Sequence, residues 1–81
     1  MKREEIKEIV IIAIVELTGF GYTDIEESNK FRDDLTMDSL DHIELTMDLE
    51  NELNISINDS EVEKIDTVKE LIDYLDNVIN K

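Results

Sequence analysis

Eighty-one residues suffice for one small domain, 1–81, whose modest core leaves no room for a buried catalytic cleft as well, so a large enzyme is excluded. Apolar residues make up 41% of the chain, proline is absent and glycine occurs twice, a composition that favours helices joined by loops. There is no cysteine and a single histidine, His42, which excludes a disulfide framework, a thiolate zinc site and a multi-histidine metal set. Twenty-two acids against eight bases give a net charge of −14, a field that repels nucleic acid and anionic membranes and attracts proteins presenting Lys and Arg.

Ile6, Ile9, Val10, Ala13, Ile14 and Leu17 follow the i, i+3, i+4 spacing of a first helix, expected to end near "TGFGY" where the two glycines break it. Its run "IVIIAIV" is too short to cross a bilayer, and Glu4, Glu5 and Glu8 interrupt any signal-like start, so a cytoplasmic protein without membrane insertion is expected. The β-branched residues exceed what one buried face needs, which predicts either an exposed apolar patch on this helix or a loosely held helix. Residues 18–37 read as a long loop that is either pinned to the core by side chains such as Phe20, Ile25, Phe31 and Leu35 or has a function of its own.

The next helix is expected to begin around Ser39, with Asp38 as its N-cap. It carries two apolar stripes: Leu45, Leu49 and Leu53 on one arc, and Leu40, Ile43 and Met47 on roughly the opposite one. One stripe suffices for a core; the second is either a further helix contact or a docking strip for a partner. "INDSEVEKI" predicts a short helix entered at Asn58 or Asp59, and "TVKELIDYLDNVI" a last helix opened by a capping box of Thr67 and Glu70, with Val68, Leu71, Ile72, Leu75, Val78 and Ile79 on one face. The acid is concentrated in the middle. Residues 33–63 hold eleven acids and no base, so that stretch alone carries −11.

Two other chemistries find no support in the spacing. Ser39 and His42 lie one helical turn apart, but neither an acid to orient the histidine nor an oxyanion hole is evident. Residues 33–44 begin with Asp33 and end with Glu44 like a calcium loop, yet Leu35 and Met37 occupy ligand positions and Asp38 replaces the turn glycine, so no dedicated metal site is expected, only weak divalent binding that relieves repulsion among the crowded carboxylates. Met37 and Met47 fit either an adaptable surface or ordinary core.

"FRDDLTMDSLDHIELTMDLENELNISI" closely resembles the segment around the prosthetic-group serine of acyl carrier proteins, and "EKIDTVKELIDYL" resembles the closing region of that family. The resemblance covers residues 31–75 and implies an all-α four-helix bundle, three longer helices and one short, with a long loop between the first and second. It implies that Ser39, preceded by the motif residue Asp38, receives 4′-phosphopantetheine from coenzyme A through a phosphopantetheinyl transferase, and that the thiol of the arm carries acyl groups as thioesters. The protein would then be a substrate and carrier, not an enzyme. Acyl-transfer enzymes and fatty-acid or polyketide synthesis enzymes with basic patches are the implied partners of a monomer. Asp38, Asp41, Glu44, Asp48 and Glu50 are expected to steer them, and Leu40, Ile43 and Met47 to supply apolar contact. By match, Phe31, Leu49, Ile57, Ile65 and Leu71 would line a space for the acyl chain.

A serine at a helix N-terminus is also a physically apt place for a phosphodiester, beside free N–H groups and the positive end of a dipole. Two positions depart from the family pattern: Thr36 stands where glycine is usual, which bears on the turn into the helix because threonine disfavours positive φ, and Asn58 stands where proline is common. An aminoacyl, D-alanyl or peptidyl carrier, or an unmodified acidic helical adaptor, are the alternative readings.

Overall fold

The structure, a computed structural model, describes residues 1–80. Its helices are α1 (Arg3–Thr18), α2 (Ser39–Leu53), α3 (Asp59–Val62) and α4 (Val68–Ile79), with a single 3₁₀ turn at Tyr22–Asp24. No strand occurs among the described residues, so the fold is the small four-helix bundle that the resemblance implies, three longer helices and one of four residues.

The first helix packs against both α2 and α4. Serving two neighbours widens its buried arc: Ile6, Val10, Ala13 and Ile14 are buried as expected, and so is Ile11, whereas Ile9 and Leu17 are only partly covered. The surplus apolar side chain is Ile12, exposed beside a shallow hollow between α1 and α2. Leu45 and Leu49 of α2 and Val68, Leu71, Ile72 and Leu75 of α4 complete the core. Nine fully buried side chains of this kind form its centre, each contributing roughly 1.5–3 kcal/mol by leaving water.

One glycine, not two, ends α1. Gly19 adopts φ 84°, the left-handed geometry of a C-cap, and its N–H donates to the Val15 carbonyl. Gly21, at φ −71°, instead precedes the 3₁₀ turn, where its N–H donates to Asp24 Oδ2 at 3.1 Å.

The long loop is fixed by side chains and by backbone. Ile25, Phe31, Leu35 and Met37 are buried and Phe20 half-buried against the core. The Phe31 N–H donates to the Asp66 carbonyl (2.8 Å), and the first N–H groups of α4, at Val68 and Lys69, donate to the carbonyls of Asn29 (3.0 Å) and Glu27 (2.8 Å). The loop thus satisfies donors that a helix start would otherwise leave free. Arg3 adds ion pairs to Glu27 (2.8 Å) and Asp73 (2.9 Å), and Lys7 one to Glu27 (3.1 Å), joining α1 to the loop and to α4.

The two departures from the family pattern differ in their local fit. Thr36 does sit at positive φ, 53°, so a β-branched residue occupies the left-handed region just before α2, with its hydroxyl donating to the Leu35 carbonyl at 2.7 Å. Asn58 caps α3 by accepting from the Ser60 N–H at 3.0 Å, and its own N–H donates to the Tyr74 hydroxyl at 3.2 Å, a bond that proline cannot make.

Candidate functional site around Ser39

The entry into α2 is set by two aspartates. Asp38, the N-cap, accepts from the Asp41 N–H at 2.8 Å, and Asp41 accepts in return from the Asp38 N–H at 3.3 Å, so each carboxylate holds the other's backbone. Ser39 is the first residue of the helix and is exposed. Its Oγ accepts a hydrogen bond from Arg32 Nη2 at 3.3 Å.

Ser39 stands on the rim of a cleft of about 530 Å³ whose walls include Phe31, Met37, His42 and Ile65, with Arg32 and Lys64 among the polar residues around it. His42 is half-buried there. Its Nε2 lies 3.2 Å from the Val62 carbonyl, and its ring meets Phe31 edge-on with centroids 5.3 Å apart. The imidazole is therefore committed to α3 rather than to Ser39, which disposes of a serine–histidine pair. Among the described residues no group of three or more acids and histidines converges as a metal site.

Of the residues matched to an acyl space, Phe31 and Ile65 line the cleft, while Leu49, Ile57 and Leu71 are buried in the core and do not form its wall. The second stripe of α2 is open to solvent: Leu40, Ile43 and Met47 are 64%, 55% and 56% exposed, so it is not a contact within the bundle. The five acids expected to steer partners divide. Asp38, Glu44 and Asp48 are exposed. Asp38 and Asp41 serve the helix cap, and half-buried Glu50 accepts from the Ile57 N–H at 2.9 Å, holding the chain between α2 and α3.

Sequence reasoning passed over Arg32, Lys64 and the inward role of His42. A signal for the first two exists: they are the bases that bound the base-free segment, and the fold brings both to the cleft beside Ser39.

Comparison with known proteins agrees with this geometry. The family model described as a phosphopantetheine attachment site matches residues 8–75. The acyl carrier protein of Chlorobium phaeobacteroides is 47% identical over 93% of this chain and 96% of its own length, and that of Chlorobium phaeovibrioides is likewise 47% identical over the same shares. The acyl carrier protein of Chloroherpeton thalassium is 43% identical over 93% of this chain and 94% of its own. The helical bundle, the capped serine at the start of α2 and these relatives lead to one assignment: the chain belongs to the acyl carrier protein family.

Proposed function

We propose that Ser39 is the residue on which this protein carries its 4′-phosphopantetheine arm, and that Asp38 belongs to the surface read by the modifying transferase. Carrying the arm follows from family membership; the choice of atom rests on the exposure of Ser39 at the first position of α2, on the rim of the cleft. In that reaction the Oγ–P bond forms as the pyrophosphate link of coenzyme A breaks, the nucleotide leaves with the bonding electrons, and the hydroxyl proton passes to a base on the transferase. The residues present suit the group. The N–H groups of Ser39 and Leu40 lie in the open first turn of α2, at the positive end of its dipole, and the Asp38–Asp41 pair fixes that turn.

When bound, the arm supplies the thiol that this cysteine-free chain lacks, and acyl groups ride on it as thioesters destined for fatty-acid or related synthesis enzymes. Basic patches on those enzymes meet Glu44 and Asp48, with Leu40, Ile43 and Met47 giving apolar contact beside Ser39. Phe31 and Ile65 offer the acyl chain its first apolar contact from the cleft wall, with Leu49, Ile57 and Leu71 in the core behind. The protein acts as a monomeric cytoplasmic shuttle. A broad-specificity phosphopantetheinyl transferase with coenzyme A tests the attachment: intact mass should show one added arm on the parent protein and none on Ser39→Ala, and an arm on the variant would overturn the assignment.

A further inference from the structure

The chain carries 22 acids, and the Arg32 guanidinium forms no ion pair among the described residues. Its hydrogen bond goes instead to a neutral acceptor, Ser39 Oγ, at 3.3 Å. Neighbouring Asp34 is engaged elsewhere, accepting from the Lys30 N–H at 2.7 Å. The cation is thus held at the atom to be modified, inside a protein whose next 31 residues hold eleven acids and no base. Placing one more anion on Ser39 within that field is electrostatically costly unless a positive group lies beside it.

We propose that Arg32 is the phosphate-binding residue of this carrier. The inference rests on Ser39 as the attachment atom, and concerns what this chain does with the phosphodiester once it is there. A guanidinium presents several N–H donors in a planar fork that matches phosphate oxygens, and a charge-assisted bond of this kind is stronger than the bond to a neutral hydroxyl that it replaces. The non-bridging oxygens of the diester are attached to the phosphorus that Oγ itself bonds, so they come within reach of a donor already in contact with Oγ. Lys64, also on the cleft, makes no bond to Ser39, and the acids Asp38, Glu63 and Asp66 line the same cleft, so Arg32 is the cation in contact with the attachment atom. Arg32 therefore neutralises the diester and holds the first bonds of the arm at the cleft mouth.

The test is a stability cycle on purified protein without and with the arm, in the parent, Arg32→Gln and Lys69→Gln. The last removes the same charge from an exposed site outside the cleft. Tandem mass spectrometry first establishes that the arm is on Ser39; an arm elsewhere defeats the attachment reading itself. With the arm on Ser39, thermal or urea unfolding at low salt should show that adding it lowers the folded-to-unfolded ratio of Arg32→Gln by roughly two- to fivefold more than that of the parent or Lys69→Gln. The difference should fade at about 1 M salt. The phosphorus-31 resonance of the diester should also move in Arg32→Gln and stay in place in Lys69→Gln. Equal effects of the arm in Arg32→Gln and Lys69→Gln would overturn the proposal.

Discussion

His42 joins two helices through one atom: its Nε2 lies 3.2 Å from the carbonyl of Val62, linking the first turn of α2 to the last residue of α3. A four-residue helix has too few internal hydrogen bonds to persist alone, so such links and the buried Val62 side chain keep α3 in place. Replacing His42 with Ala removes both this bond and the edge-on contact with Phe31. A loss of about 1–2 kcal/mol is expected. Hydrogen exchange should accelerate at the amides of residues 59–65 more than in α1 or α4. Uniform acceleration in all helices would show that the contact stabilises the whole bundle rather than α3.

Thr36 holds a left-handed backbone, φ 53°, at a position where a side chain gains little, since the residue is exposed. Left-handed geometry costs a β-branched residue on the order of 1–2 kcal/mol, partly offset in glycine by the greater entropy of its unfolded chain. Thr36→Gly should therefore raise stability by up to about 1 kcal/mol, several degrees in melting temperature for a domain of this size. Calorimetry checks the sign.

The Glu27 carboxyl is held below its usual range, first by the hydrogen bond from Arg3 and then by that from Lys7, while partial burial works weakly against them. Because the folded value is the depressed one, the charged form stabilises the fold. That contribution is complete above the unfolded value, about 4.3, and is lost as pH falls through the lower folded value. Glu27→Gln should cost no more than about 1 kcal/mol at pH 7, because these side chains are partly solvated and screened. The gap between parent and variant should close as the pH drops below about 4. Urea unfolding across pH 2.5–7, followed by circular dichroism, measures the window.

The exposed stripe of α2 and its outward acids should act on different rate constants. Glu44→Lys is expected to slow association with the transferase, by roughly two- to fivefold at low salt and progressively less as salt rises, because surface charges act chiefly through steering. Met47→Ala, which removes apolar contact and no charge, should chiefly speed dissociation. Stopped-flow binding at several ionic strengths separates the two. Glu50 is a less clean probe, since its carboxylate also holds the Ile57 amide.

What was legible in the sequence is what local chemistry decides. Asp38 as the cap before Ser39, the Thr67–Glu70 box and the entry to α3 at Asn58 or Asp59 are written within a few residues of each site: Asp38 accepts from the Asp41 N–H, Thr67 from the Glu70 N–H, and of the two candidates Asn58 is the cap of α3. The apolar face of α4 is equally local, because its period of 3.6 meets a single core. Contacts between distant residues were not legible. The isolated bridge of Lys30 with Thr67, the bond of His42 to Val62 and that of Glu50 to Ile57 depend on how the loop folds back, which periodicity does not encode. The two stripes of α2 are the instructive case. Composition makes them equivalent, and only the packing of α1 on one side leaves Leu40, Ile43 and Met47 in solvent.

Whether Ser39 bears the prosthetic arm is decided by tandem mass spectrometry of the protein purified from its native cell. The expected spectrum places phosphopantetheine, bare or acylated, on the peptide containing Ser39. The same modification on Ser28, Ser56 or Ser60, or a population carrying no arm at all, would contradict attachment at Ser39.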